Sequence, residues 1–161
     1  MVILAFSLLS PQASAQVEVQ EYTLDNGMTF LLLPRYEEPN NVAAGWLAHV
    51  GSVNEYPGIT GISHFFEHMM FKGSKNVEPE SHTSIIASIG GRSNAYTTED
   101  ATVFWETLPA QYLPLALWLE ADRMATLRIE SDAFDREREV VKEERRMRVD
   151  NQPYGRLSEI I

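Results

Sequence analysis

The sequence predicts an α+β fold, an antiparallel sheet with helices packed on it, and three observations carry that expectation. Alternating residues flank Asp25-Asn26-Gly27, the signature of a β-hairpin. Apolar residues return at three- and four-residue steps from Ile62 and again in two long stretches of the second half, the spacing of amphipathic helices. The 161 residues, 44% hydrophobic and 22% charged, are globular values that supply one core and argue against wholesale disorder.

In order along the chain, residues 17–24 alternate as a strand, Asp25-Asn26-Gly27 turns, and residues 28–33 return. A polar turn around Glu37-Glu38-Pro39-Asn40-Asn41 leads to a largely buried third strand over residues 42–50. After a loop rich in glycine, helical spacing runs from Ile62 to about Phe71. A second short helix spans about Glu80 to Ile89 and stops at Gly90-Gly91. Residues 102–108 read as a strand, Pro109 opens a long helix to about Thr126, and the charged stretch from Ser131 to about Val149 forms another.

Composition excludes several classes. No cysteine is present, so disulfides and thiolate metal sites are ruled out. Thirteen basic residues face 23 acidic ones, and residues 1–127 carry only 5 basic against 14 acidic groups. No basic patch survives that count, and nucleic-acid binding, which needs concentrated cations against phosphate, is not expected. The longest apolar run, residues 2–9, is far short of the roughly 20 residues of a transmembrane helix. That run is followed by Ala13-Ser14-Ala15, a small-x-small cleavage pattern, which predicts an export signal over residues 1–15 and a periplasmic or secreted domain over 16–161. No Lys or Arg precedes the run, and an apolar strand is the alternative reading.

The chemistry concentrates in His64-Phe65-Phe66-Glu67-His68. On a helix, histidines four apart share a face and can hold one metal ion, and Glu67 sits beside the second. The pattern H-x-x-E-H is the zinc-protease H-E-x-x-H read backwards, with the same donors and the same carboxylate base. Its chance expectation in this composition is about one in a hundred, and the alternative is a plain amphipathic helix with Glu67 solvated. A zinc site with two histidines needs a third protein ligand. In the last helix Phe134, Glu137, Val140, Val141, Glu144 and Met147 form the apolar stripe, so Glu144 is the candidate ligand and Glu137, two turns earlier, a candidate for orienting one. A salt-bridged surface helix, with Glu144 answering Arg148, is equally compatible with stripe position alone.

Together these residues resemble the pitrilysin family of zinc metallopeptidases, the inverzincins, which include insulin-degrading enzyme and the mitochondrial processing peptidase catalytic subunit. Besides the motif, Asp25-Asn26-Gly27, Gly51-Ser52, Glu55, Gly58, Phe71-Lys72-Gly73-Ser74, Gly90-Gly91-Arg92-Ser93-Asn94-Ala95-Tyr96-Thr97 and Val140-Val141-Lys142-Glu143-Glu144 carry the likeness. The resemblance implies one Zn²⁺ held by His64, His68 and Glu144, with Glu67 activating water and Glu137 as the accessory glutamate. It implies endopeptidase action on extended peptides or unfolded polypeptides, which add as a strand at Asn94 and Ala95. An ordinary turn is the alternative for those two residues, and His49 and His82 have no motif partner. Family chains normally hold two related domains, so the resemblance implies that 16–161 is a truncated first domain that needs a second domain or a homologous subunit. A non-catalytic subunit with an assembly or peptide-binding role is the alternative function.

Overall fold

The computed structural model describes residues 18–155, and the expected export segment lies outside the described residues. The chain divides into two compact units, Met1–Glu38 and Pro39–Ile161. In the first, β1 (Gln20–Thr23) pairs antiparallel with β2 (Thr29–Leu32), Gln20 opposite Leu32 and Thr23 opposite Thr29. Gly27 closes the turn at φ +86°, a left-handed conformation that glycine adopts without strain. The Asn26 side chain accepts a hydrogen bond from the Met28 amide at 3.0 Å.

The second unit is built on a three-stranded antiparallel sheet in the order β3 (Asn41–Ala48), β5 (Thr102–Pro109), β4 (Arg92–Thr97). β5 is central and strictly alternating: Thr102, Phe104, Glu106 and Leu108 are buried on one face. Phe104 stacks on Trp46 of β3 with ring centroids 4.5 Å apart. The helices follow in the expected order: α1 (Ile62–Met69), α2 (Ser81–Ser88), α3 (Leu113–Thr126) and α4 (Ser131–Arg145). Val77, Ile86 and Leu119 form a buried apolar cluster, with Ile85 and Leu115 packed against it.

Local chemistry explains the boundaries. α1 starts at Gly61, which has no side chain to cap it, and Glu55 does the work from outside the helix. Its carboxylate accepts the Gly61 and Ser63 amides at 2.6 and 2.9 Å, a negative charge on the positive end of the helix. Gly90, at φ +83°, ends α2 as expected. Three segments differ from the sequence reading. The third strand, expected as largely buried, alternates exposed with half-buried residues, because β3 is an edge strand of the sheet. Pro109 ends β5 instead of opening a helix, and α3 begins after a short 3₁₀ turn (Ala110–Tyr112), with Pro114 in its first turn where a missing N–H is harmless. Arg92–Thr97, not expected as a strand, pairs with β5 throughout, because hydrogen bonding to a strongly β-forming neighbour overrides the poor propensity of Ser93 and Asn94.

Under the sheet lies a polar cluster from four elements: the buried His82, Glu106, Glu120 and Arg123, with the half-buried Trp46 beside them. Arg123 donates from Nε and Nη2 to the two oxygens of Glu120 at 2.7 and 2.6 Å, and Trp46 Nε1 donates to the same carboxylate at 2.5 Å. His82 Nε2 lies 3.3 Å from it. Glu106 is 0% exposed, and neither of its oxygens has a hydrogen-bond partner. Burial, then the neighbouring Glu120 charge, push its carboxyl up to about 7, against the opposing pull of Arg123. A raised carboxyl favours the protonated form in the fold, so its contribution to stability is complete below the unfolded value near 4.5 and is lost as pH rises toward 7. Glu106→Gln, neutral throughout, is expected to remove that dependence. Thermal unfolding of parent and variant between pH 5 and 8 checks it: the stability difference should swing in favour of the variant as pH rises, and parallel curves would refute the assignment.

Candidate metal centre

α1 and α4 bring together the residues that the motif and the stripe single out. Phe65 of α1 meets Phe134 of α4 edge to face, with ring centroids 4.8 Å apart, and fixes the apolar part of the seam. One and three turns further along α4, Glu137 and Glu144 reach the histidines of α1. His64 Nε2 and His68 Nε2 stand 3.1 Å apart, and Glu144 Oε2 lies 3.8 Å from each. Three donors about 2.0–2.1 Å from one tetrahedral ion are roughly 3.3 Å from one another, so these separations bracket what a zinc ion needs.

The donor chemistry also fits. Glu137 Oε1 lies 2.8 Å from His68 Nδ1 and Lys72 Nζ 2.7 Å from Glu137 Oε2. Burial alone would raise the Glu137 carboxyl, but the hydrogen bonds from Lys72 and His68 hold it below the usual carboxylate range. An ionised Glu137 accepts, so His68 donates from Nδ1 and presents a bare Nε2 toward His64 and Glu144. Burial, then the neighbouring His68, push the His64 imidazolium below its ordinary value, favouring the neutral ring that ligates. Glu144 Oε2 is buried and without a hydrogen-bond partner. Lone pairs that converge at this distance repel unless a cation or a proton lies between them, and a divalent cation satisfies all three.

Glu67, on the same helix, accepts a hydrogen bond from Thr97 Oγ1 of β4 at 2.6 Å. With His68, Lys72, Glu137, Glu144 and Arg148 it lines a cleft of about 480 Å³ whose other wall is the strand Asn94-Ala95-Tyr96-Thr97. Among the described residues that strand pairs only with β5, leaving its outer edge open. The two remaining histidines lie elsewhere: His49 is exposed, and His82 belongs to the buried cluster under the sheet. α1 is less enclosed than its composition implies: Phe66 is 48% exposed, while Ser63, Phe65 and Met69 are buried.

Two residues of this arrangement were not singled out in the sequence as site residues. Thr97 orients Glu67, and its signal was only its place at the end of the Gly90-to-Thr97 segment. Lys72 is clamped between Glu137 and Glu80, the latter at 2.5 Å, and four residues from His68 on a helical turn it had the spacing to be found. Glu80 is also the one non-glycine residue with positive φ among the described residues, at 64°. Replacing Lys72 by Met leaves Glu137 buried against His68 without its cation. The expected result is about tenfold weaker zinc binding in competition with a chromogenic chelator, with Lys72→Arg retaining most of the affinity. Equal affinity of parent and Lys72→Met would show that Lys72 does not support the histidine.

Comparison with known proteins agrees with this geometry. The chain matches the family Insulinase (Peptidase family M16) over residues 32–159. It is 36% identical to the zinc protease PqqE of Helicobacter pylori over 158 residues, covering 94% of this chain and 36% of that protein. The crystal structure of a protease from Helicobacter pylori superimposes with a TM-score of 0.84 at 37% identity, over 86% of this chain and 33% of that one. The first half of the periplasmic protease PqqL from Escherichia coli does so at 0.77 and 30% identity, over 88% and 31%. The chain thus spans about a third of the length of the curated relatives it matches. A helical pair carrying His64, Glu67 and His68 opposite Glu144, set on this sheet and matched over most of its length, places the chain in the insulinase family, peptidase family M16.

Proposed function

We propose that this chain is the zinc-binding, amino-terminal part of an exported endopeptidase that hydrolyses extended peptides or unfolded polypeptides. The observation that carries the reading is the convergence of His64, His68 and Glu144 at one end of a cleft that also holds Glu67 and the open edge of β4. His64, His68 and Glu144 would hold one Zn²⁺ per chain. When bound, the ion supplies Lewis acidity to the scissile carbonyl and to water. Glu67, steadied by Thr97, takes a proton from the attacking water and delivers it to the amine nitrogen as the C–N bond breaks. Glu137 keeps His68 in the ligating tautomer. Asn94 and Ala95 offer their backbone to a substrate strand, which gives affinity with little dependence on sequence. The chain spans 36% of the zinc protease PqqE and 31% of a structure that is itself only the first half of PqqL, which supports a second domain or a homologous subunit as the other part of the working enzyme. The periplasmic relative supports export, with residues 1–15 as the signal.

Glu67→Gln in the full-length protein is expected to lower turnover of a quenched fluorescent peptide by about 10²–10⁴ while the zinc content stays near one per chain. Retained turnover would sink the role of Glu67. Glu144→Gln is expected to lose the metal itself after dialysis, read by atomic absorption; an unchanged zinc content would move the third ligand elsewhere.

A further inference from the structure

The cleft holds two cations, and they are not equivalent. Lys72 is 17% exposed and clamped between Glu80 and Glu137. Arg148 is 73% exposed and stands 3.6 Å from Glu144 Oε2, longer than a hydrogen bond. Glu144 is the proposed metal ligand, so in the loaded site its charge is drawn to the ion and the guanidinium keeps its donors for another acceptor. The balance of the cleft points the same way. Its lining has three carboxylates, Glu67, Glu137 and Glu144, against these two cations, and a divalent ion converts that deficit into an excess of one positive charge. A second observation is backbone: one residue past α4 the helix widens into a π turn over Arg146–Asp150, with the Asn151 amide bonded to the Arg146 carbonyl at 2.8 Å. Such turns are rare and concentrate at functional sites, and this one contains Arg148.

We propose that Arg148 makes the metal end of the cleft a carboxylate subsite, so that the preferred substrates are peptides with a carboxylate beside the scissile bond, on a side chain or at the carboxyl terminus. This rests on the peptide-hydrolysing reading above and adds its substrate class. Arginine suits the task because its planar fork meets both oxygens of a carboxylate at once. The pair forms at a solvent-accessible position, which sets its worth at a several-fold preference, weakened by salt.

The test uses the zinc-loaded full-length protein carrying Glu67→Gln, so that peptides bind without turnover. Fluorescent peptides are compared in matched pairs, Glu against Gln at each position in turn and free carboxyl terminus against amide, by anisotropy. At one of these positions the charged member is expected to bind about fivefold more tightly. Adding Arg148→Gln should bring that ratio to about one with affinity for the neutral peptides and zinc content unchanged, and Arg148→Lys should keep part of it. Which pair shows the ratio tells a side-chain carboxylate from a terminal one, and either supports the subsite. A ratio near one in the parent, a ratio that survives Arg148→Gln, or loss of zinc in that variant overturns it, the last by making Arg148 a support for Glu144. Binding without discrimination sinks this inference alone, whereas no binding of any peptide by the zinc-loaded protein sinks the peptidase reading with it.

Discussion

Burying two carboxylates of α4 against α1 is the constraint that organises the site. Glu137 and Glu144 lie two turns apart on one face, and taking each out of water costs several kcal/mol unless a partner compensates. Glu137 has such partners in His68 and Lys72 at 2.8 and 2.7 Å. Glu144 does not: its buried oxygen meets two histidine nitrogens at 3.8 Å and a guanidinium at 3.6 Å. The aromatic contact between Phe65 and Phe134 can hold the helices together, but it does not compensate that charge. The seam therefore joins an apolar contact to a set of converging donors that includes a buried, unpartnered carboxylate oxygen, an arrangement a divalent cation suits.

A second convergence of the same residue types sharpens the point. His82, Glu106 and Glu120 also bring ligand atoms within 4.8 Å of one another, and all three are buried. There the cation is already built in. Arg123 is bonded to both oxygens of Glu120 and stacked over Phe104, with its guanidinium carbon 4.5 Å from the ring centroid. A metal ion would have to displace that guanidinium or sit beside it. The remaining carboxyl, Glu106, is pushed up to about 7 by burial and the Glu120 charge, so that below this pH a proton can accommodate it without a metal. Donor type and spacing do not separate these two clusters; the presence of a fixed cation does.

Much of this was legible in the sequence because local chemistry repeats it. The hairpin turn, the stop of α2 at Gly90 and the shared face of His64 and His68 each depend on residues within one or two turns of one another. Glu144 was legible only halfway: its stripe position suited a ligand and a salt bridge to Arg148 equally, and the fold brings it near both. What could not be read was long-range pairing. β4 is a strand because β5 holds it, and the alternation of Ser93 and Asn94 carries no hydrophobic signal. Glu106 looks like an ordinary strand residue until the sheet buries it over Glu120 and Arg123. Glu55 caps α1 across a loop, a bond that no cap pattern at Gly61 announces.

The edge of β4 that the described residues leave open links the candidate metal centre to the proposed chemistry on a peptide. An unpaired strand edge is a liability that proteins usually blunt with charge, proline or a covering segment. On β4 the one charged residue, Arg92, stands at the start, and the edge beside the cleft is Asn94, Ala95 and Tyr96. A peptide that pairs with such an edge is held by its backbone, which every peptide shares. Discrimination must then come from side chains across the cleft, and that wall carries five ionic side chains, Glu67, Lys72, Glu137, Glu144 and Arg148, beside His68 and Phe71. The carboxylates among them are engaged with Thr97, with His68 and Lys72, and with the proposed metal. Arg148 is the exposed charge of that wall, so on the proposed reading what the backbone edge leaves unselected falls to that guanidinium.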